Sequence, residues 1–270
     1  MVGALKQRLG GLRDQSIPFS KAYSRRGLLI QAIPLIQHAR IKKNGHTGKR
    51  RSPRLMRLFT VGHSNQTLPQ LLALLLQEGI NAVADVRSMP YSRRLPQFNR
   101  PELEAALSKK AIRYVFLGEE LGARRDEPAA YDGLQAAYER VAQLPAFQRG
   151  LERVISGVKK GHTLSLLCAE RDPLTCHRAV LVSRHLSNFG FDVQHIHGDG
   201  RIESHGELEQ RMQKALQRLG VLEAFNGALQ LDLLGNPLSR SQECNPDILL
   251  EKAYKEQGKR IAYCKPLIAA

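Results

Sequence analysis

The fold is decided by the stretch Leu164-Ser-Leu-Leu-Cys-Ala-Glu-Arg-Asp-Pro-Leu-Thr-Cys-His-Arg-Ala-Val-Leu-Val182. An apolar run, a short polar loop and a second apolar segment, in this order, predict a strand, a turn and a helix. In an open parallel α/β sheet, ligands bind at the carboxyl ends of the strands. The polar loop therefore lies where a site is expected, and it carries thiols, carboxylates, an imidazole and guanidinium groups.

The same alternation extends to both sides of this stretch. Strands are predicted at 58–61, 81–86, 113–117, 163–167 and 192–197, and helices at 67–79, 99–110, 134–143, 145–158 and 206–219. Thr67-Leu-Pro-Gln70 has the pattern of a capping box at the start of the first helix. Strands and helices that alternate at this spacing predict an α/β fold. We expect a single domain whose mainly parallel sheet of about five strands is flanked by helices.

The basic charge is concentrated at the amino terminus. Residues 1–55 hold 13 Lys and Arg against the single acid Asp14, whereas residues 56–270 hold the remaining 28 Lys and Arg against 24 acids. We expect a basic, disordered leader over 1–55, an α/β domain over 56–215 and a helical C-terminal extension over 216–270. The leader has three interpretations: a start assigned too early, with Met56 as the true start, an organelle-targeting peptide, or a nucleic-acid-binding tail.

Membrane association is not expected, because no run of 18 apolar residues occurs in the chain. The four cysteines include no CxxC pair, and so few in a chain of this length do not suggest a disulfide scaffold. A cytoplasmic location is therefore the expectation. Nothing in the sequence predicts the oligomeric state.

The polar loop supplies the candidate catalytic groups, which are Cys168, Glu170, Cys176 and His177. Asp172-Pro173 has the pattern of an N-cap and first helical residue, which places Cys176, His177 and Arg178 in the first helical turn or just past it. Free amides and the helix dipole there lower the pKa of a thiol and attract anions. The alternative interpretation is that both cysteines are small buried residues. Neither thiol has an arginine six positions later, as a phosphatase-type loop requires.

Two more polar loops follow predicted strands. Gly62-His-Ser64 follows the first strand, and an Arg-rich and aromatic segment begins at Asp85 after the second. Guanidinium groups bind phosphate or carboxylate, and aromatic rings stack on planar ligands. The alternatives are a local serine cap with an exposed histidine, and a surface loop with an Asp–Arg pair. The candidate substrate-binding residues are His63, Ser64, Asp85, Arg87, Tyr91, Ser92, Arg93, Phe98, Asn99 and, from the first loop, Arg178.

A metal site is a weaker prediction. His195 and His197 share one face of the fifth strand, and with Cys168 or Cys176 they would form a Cys/His site. Histidines with structural hydrogen bonds are the favoured interpretation of this pair. We therefore assign no metal ligands from the sequence, and the residues do not identify a cofactor.

The three loops together resemble the bacterial and archaeal family catalogued as domain of unknown function 488. The resemblance rests on Gly62-His-Ser64, on Asp85-Val-Arg87 with the Pro90–Asn99 segment, and on the Cys168–Arg178 motif, and it covers about residues 57–200. It implies a compact α/β domain and a usual start close to Met56. It implies little about activity, because the function of the family is unassigned.

The residues favour a small enzyme that acts on an anionic substrate, either a nucleotide or another phosphate-bearing molecule. Arg87, Arg93 and Arg178 are expected to bind the anion. One thiol would be the nucleophile or redox group, and Glu170 or His177 would transfer protons. Transfer, hydrolysis and thiol redox chemistry all fit. The alternatives are a non-catalytic module that binds nucleic acid or regulates, and a Cys/His metal-binding protein.

Overall fold

The computed structural model describes residues 56–222 and 245–266, so the predicted leader lies outside the described residues. The strands are β1 Met56–Gly62, β2 Ala82–Asp85, β3 Arg113–Phe116, β4 Tyr131–Asp132, β5 Gln135–Ala136, β6 Leu164–Cys168, β7 Phe191–Ile196 and β8 Ile202–Ser204. The α-helices are α1 Leu68–Gln77, α2 Arg100–Ser108, α3 Gly118–Leu121, α4 Tyr138–Val141, α5 Pro145–Lys159, α6 Arg184–Asn188, α7 His205–Arg218 and α8 Pro246–Ile261.

Six strands form one sheet in the order β3-β2-β6-β1-β7-β8. The first five are mutually parallel, and β8 pairs antiparallel with β7 at the edge. This arrangement confirms the predicted α/β class and the mainly parallel sheet. The sixth strand was not predicted, because three residues after a tight turn carry too little pattern to identify a strand.

Helices cover both faces of the sheet. Alternate residues of each strand point to opposite faces, so one strand contributes side chains to two cores. Phe59 and Val61 of β1 belong to a core that contains buried leucines of α1 and α2. Leu58 belongs to a second core, which includes buried side chains of α5, α6, α7 and α8. At the start of α1, the Thr67 hydroxyl accepts from the Gln70 amide and the Gln70 side chain accepts from Thr67, which confirms the capping box.

Two helix predictions were wrong. The segment predicted as a helix at 134–143 begins as a β4–β5 hairpin around Gly133, and only Tyr138–Val141 is helical. The backbone of this hairpin pairs with the chain terminus: Ala136 N donates to Tyr263 O at 2.9 Å, and Lys265 N donates to Leu134 O at 2.8 Å. A local pattern cannot reveal a partner that lies more than a hundred residues away.

The second error concerns the helix after Asp172-Pro173. Asp172 caps as predicted, since its carboxylate accepts from Leu174 N at 2.9 Å, but the turn at Pro173–Thr175 is a single 3-10 turn. Cys176 then has extended backbone angles, and a π-helical segment follows at Arg178–Ser183. Cys176 therefore lies between the 3-10 turn and the helical segment, and not in the first turn of an α-helix.

The carboxyl-terminal part of the chain packs on the same domain. Helix α7 crosses position 215, the boundary expected from the sequence, and α8 buries Ala253 and Tyr254 in the second core. Gln257 of α8 donates to the carbonyl of Leu174 at 2.8 Å. Helix α8 thus supports the loop that follows β6.

A buried chain of hydrogen bonds connects the sheet to these helices. Thr60 Oγ1 contacts His195 Nδ1 at 2.8 Å, His195 Nε2 contacts His205 Nδ1 at 3.0 Å, and His205 Nε2 contacts the Tyr254 hydroxyl at 2.9 Å. The Tyr254 hydroxyl donates to Glu209 at 2.7 Å. With each histidine neutral and protonated on Nε2, every group in the chain has a matching donor or acceptor. Protonating His205 at Nδ1 would set this proton against the Nε2 proton of His195.

We expect acid to destabilise the protein through these histidines. Burial lowers the pKa of His205 to about 4 and holds the pKa of His195 well below its usual value. Since the unfolded state binds more protons, the stabilisation is complete above about pH 6.5 and is lost as the pH falls towards 4. Each histidine contributes a slope of up to about 1.4 kcal/mol per pH unit. Urea unfolding at pH 7 and pH 5 measures this slope, and His205→Gln should make it shallower. An unchanged slope in His205→Gln contradicts this assignment.

Candidate functional site

The three polar loops begin on three adjacent strands of the sheet. Gly62 at the end of β1 is in register with Cys168 at the end of β6, and Asp85 at the end of β2 is in register with Leu167. The loops after β1 and β6 are joined by hydrogen bonds from His63 N to Cys168 O and from Ser64 N to Ala169 O, both 2.9 Å. All three loops therefore start at one edge of the sheet.

Close contact between two of the loops requires glycine at position 62. A Cβ at this position would collide with the carbonyl oxygen of Glu170 and come close to the Arg178 guanidinium. No other residue allows the backbones to approach this closely. Gly62 therefore sets the position of the loop that carries the thiols.

The four candidate catalytic residues meet at this edge. Cys168 Sγ donates to Glu170 Oε2 at 2.8 Å, and Cys176 Sγ donates to the same oxygen at 3.0 Å. His177 Nδ1 lies 3.7 Å from Cys168 Sγ and 4.0 Å from Cys176 Sγ. One sulfur, oxygen or nitrogen atom from each residue lies within 4.8 Å of the other three. We refer to Cys168, Glu170, Cys176 and His177 as the thiol cluster.

The backbone around the thiol cluster brings the two cysteines together. Cys168 ends β6, and the 3-10 turn at Pro173–Thr175 returns the chain so that Cys176 faces it. His177 Nε2 lies 3.0 Å from the carbonyl oxygen of Val86, just beyond β2. Since a carbonyl can only accept, this contact places the ring proton on Nε2 and leaves the Nδ1 lone pair directed at the thiols.

Both thiols are buried, but their surroundings shift their pKa values in opposite directions. Burial raises the pKa of Cys168, and the neighbouring Cys176 raises it further. Burial also acts to raise the pKa of Cys176, but hydrogen bonding to Cys168, the charge of Arg178 and the His177 ring together hold it well below its usual value. Cys176 is therefore the thiol that ionises first. Burial acts to lower the pKa of His177, but the Cys176 thiolate outweighs it and raises that pKa.

Arg87 forms a buried ion pair with Asp85. Its Nε and Nη2 donate to the two carboxylate oxygens of Asp85 at 2.9 and 2.6 Å, and its Nη1 donates to Phe98 O at 2.9 Å. Tyr114 donates to the same carboxylate at 2.8 Å. Arg87 is 6% exposed and Asp85 is fully buried. The pair thus anchors the loop after β2, and Asp85 does not reach a ligand.

The side chain of His63 contacts other residues of the two loops. Its Nε2 lies 3.2 Å from Arg87 Nη1, its Nδ1 lies 2.9 Å from Ser64 O, and its ring stacks on Phe98 at a centroid distance of 4.3 Å. Burial lowers the pKa of His63 to about 4, so the ring is neutral near pH 7. The contacts of His63 and Phe98 join the loops after β1 and β2.

The remaining predicted binding residues fall into two groups. Arg178 is fully buried and donates to the carbonyl oxygens of Glu170 and Arg171 at 2.8 and 3.4 Å, so its guanidinium holds the loop and does not enter a pocket. Asn99 accepts from Ser92 N at 2.6 Å and closes its own loop. Nearer the surface lie Ser64, Tyr91 and Arg93.

A pocket of about 430 Å³ opens beside the thiol cluster. Cys168, Glu170 and His177 line it, together with Arg87 and Tyr91. The sequence did not identify the other lining residues, which are Ser88, Met89, Ala123, Arg124, Tyr138, Ala169, Thr175, Ile261 and Tyr263. They come from five separate parts of the chain. Ser88 and Met89 lie in the segment that begins at Asp85, and Ala169 and Thr175 lie in the Cys168–Arg178 loop. For Ala123 and Arg124 the only signal was the loop character of residues 118–133.

The histidines of β7 do not join the cluster. His195 is buried in the hydrogen-bonded chain with Thr60 and His205, and His197 Nε2 contacts Glu203 at 2.9 Å. Arg211 in turn bridges Glu203 and Asp172. The Cys/His site expected from His195 or His197 is therefore not formed. The histidine beside the thiols is His177.

Comparison with known proteins identifies a family for the centre of the chain. Residues 67–185 match the model of the family described as Domain of unknown function DUF488, which confirms the resemblance seen in the sequence. The match contains the thiol cluster, but Gly62-His-Ser64, Ile261 and Tyr263 lie outside it. No curated protein and no solved structure matches the chain. Within the described residues, none of the helices has the length and apolar character needed to cross a membrane.

Proposed function

We propose that the protein is a zinc-dependent hydrolytic enzyme with an anionic substrate. Cys168, Cys176 and His177 bind the metal, and Glu170 transfers the proton. The observation that carries this proposal is the convergence of four metal-binding atoms within 4.8 Å of one another at the carboxyl edge of the sheet. Sites of enzymes with this type of fold lie at the same edge.

The donor types favour zinc over a harder cation. Two sulfurs and an imidazole nitrogen suit zinc, whereas magnesium and calcium prefer oxygen ligands. The contact of His177 Nε2 with Val86 O is the kind of second hydrogen bond that orients a metal-binding histidine. The cluster thus has both the ligands of a zinc site and the support that such ligands need.

The surroundings favour a catalytic site over a structural one. Structural zinc sites are closed by four protein ligands, whereas catalytic sites keep a position for water or substrate. Cys168, Cys176 and His177 are all buried, yet Cys168 and His177 line the pocket, as does the exposed Glu170. With Cys168, Cys176 and His177 as ligands, the protein would supply three of the four ligands of a zinc ion.

Hydrolysis at this site follows from the roles of the residues. A zinc ion lowers the pKa of a water molecule bound to it. With zinc bound, Glu170 would accept a proton from the attacking water, whose oxygen would bond to the electrophilic atom of the substrate as the scissile bond breaks. Glu170 then returns the proton to the leaving group, so no oxidant or reductant is consumed. The substrate is an anionic small molecule or a nucleic-acid component, and thiol ligands suit the reducing cytoplasm.

If Cys168, Cys176 and His177 bind zinc, the purified protein contains zinc and substitution of either cysteine weakens zinc binding. The purified protein is expected to hold about one zinc per chain. Cys168→Ser or Cys176→Ser should weaken zinc binding by at least about 100-fold, since even supporting residues change affinity by about 10 to 100-fold. Glu170→Gln should retain zinc but lose hydrolysis, because the amide cannot accept the proton. Elemental analysis and competition with a chromogenic chelator measure content and affinity.

Cys264→Ser is the matched control for these variants. Cys264 is an exposed free cysteine outside the thiol cluster, so its replacement should leave zinc affinity unchanged. Zinc-free protein, or equal loss of zinc from Cys264→Ser and Cys176→Ser, contradicts the proposal. A disulfide between Cys168 and Cys176 in metal-free protein would instead support thiol redox chemistry.

A further inference from the structure

We infer that the pocket binds a planar ring carrying an anionic group, and that the C-terminal arm, residues 262–265, determines this preference. The inference rests on the proposed function, because it names the substrate class of the same site. The arm lies outside the family match, whereas Arg124 and Tyr91 lie inside it. Three features of the pocket carry it: a fixed arm, tyrosine side chains along the wall, and one available cation.

The arm is held in place by backbone hydrogen bonds. Ala136 N donates to Tyr263 O at 2.9 Å and Lys265 N donates to Leu134 O at 2.8 Å, so the arm extends the β4–β5 hairpin by a short third segment. Gln135 also donates to the carbonyl of Lys259 at 2.7 Å. Tyr263 and Ile261 consequently line the pocket from a firmly attached segment.

The wall of the pocket is rich in aromatic side chains. Tyr91, Tyr138 and Tyr263 line it, and Met89 lies beside them. Tyr91 and Met89 are each 63% exposed, so both side chains are open to solvent where they line the pocket. Aromatic faces that border a cleft stack on planar ligands without requiring one particular ring.

Arg124 supplies the charge that the ligand needs. Its guanidinium lies 4.8 Å from the Tyr263 ring centroid, and its backbone N donates to Ser88 Oγ at 2.9 Å. Among residues 56–222 and 245–266, no carboxylate forms an ion pair with Arg124, whereas Arg87 in the same pocket is paired with Asp85. An anionic group would therefore be bound beside Arg124. The Tyr263 ring is next to it, so ring and charge are recognised together.

Calorimetric titration with four small molecules tests this inference. Adenosine 5′-monophosphate has a ring and a charge, ribose 5-phosphate lacks the ring, and adenosine lacks the charge. We expect the nucleotide to bind at least about 10-fold more tightly than either, because stacking alone contributes about 1–3 kcal/mol. Phenyl phosphate, which keeps a ring and a charge without the sugar, should bind more tightly than ribose 5-phosphate.

Two substitutions separate the contributions of ring and charge. Tyr263→Leu should weaken nucleotide binding by about 10-fold and leave ribose 5-phosphate unaffected, as expected from the loss of one stacking partner. Arg124→Gln should weaken both phosphates and leave adenosine unaffected. The matched controls are Phe189→Leu and Arg201→Gln, since both residues are exposed and lie outside the pocket lining.

Equal affinity for the nucleotide and ribose 5-phosphate, or no binding of any of the four compounds, would overturn the inference. So would a loss of binding in Phe189→Leu as large as that in Tyr263→Leu. Zinc content measured on the same samples keeps the two proposals distinguishable. Protein that holds zinc without ring preference refutes only this inference, and protein that binds the nucleotide without zinc refutes only the metal assignment.

Discussion

Replacing Arg178 with Met is expected to reduce the free energy of unfolding by at least about 2 kcal/mol, since a hydrogen bond to a charged group contributes about 1.5–3 kcal/mol. Arg178 is fully buried, and its guanidinium donates to the carbonyl oxygens of Glu170 and Arg171. Met fills a similar volume but supplies neither hydrogen bond nor the positive charge beside the thiols. Urea unfolding of the variant and the wild type measures the difference.

Arg171→Met is the matched control for this prediction. Arg171 is the exposed neighbour in the same loop, so its replacement should change stability by no more than about 0.5 kcal/mol. If Arg178→Met is as stable as Arg171→Met, the guanidinium does not hold the loop as described. A stable Arg178→Met variant that retains zinc would in addition show that the thiol cluster forms without this support.

Replacing Asp85 with Asn is expected to destabilise the protein by about 3–5 kcal/mol, because removing one member of a buried ion pair leaves the other charge uncompensated. Asp85 is fully buried and binds Arg87 through two hydrogen bonds. Asn keeps the shape of the side chain and removes its charge. The measurement is again urea unfolding.

A double-mutant cycle shows whether this loss belongs to the pair. Asp85→Asn together with Arg87→Met should be less destabilising than the sum of the single variants by about 1–3 kcal/mol, because the second substitution removes the uncompensated charge. The exposed pair Arg100–Glu104 provides the contrast, and Glu104→Gln should cost less than about 1 kcal/mol. Additive effects of the two substitutions at positions 85 and 87 contradict the assignment.

The sequence predicted the elements that depend on local pattern. The five parallel strands lie within a few residues of their predicted positions, because buried parallel strands are short apolar runs with clear ends. The convergence of three loops at one edge followed from parallel pairing. The thiol cluster could be named because its four residues lie within ten positions of one another.

The features that the sequence did not predict depend on contacts between distant residues. Two arginines predicted to bind an anion are used inside the protein instead. The Arg87 guanidinium binds the Asp85 carboxylate, and the Arg178 guanidinium binds backbone carbonyls of its own loop. Arg124 lies in a loop without pattern, and Tyr263 reaches the pocket only because its segment pairs with residues 134–136. No local signal predicts either contact.

The central claim, that Cys168, Cys176 and His177 bind zinc, is tested most directly by X-ray absorption at the zinc edge of the intact protein. The claim predicts two sulfur ligands at about 2.3 Å and one imidazole nitrogen at about 2.0–2.1 Å, with the remaining ligand an oxygen. Cys176→Ser, loaded with zinc at high concentration, should show one sulfur. A wild-type spectrum with only nitrogen and oxygen ligands, or a sulfur count unchanged in Cys176→Ser, would contradict it.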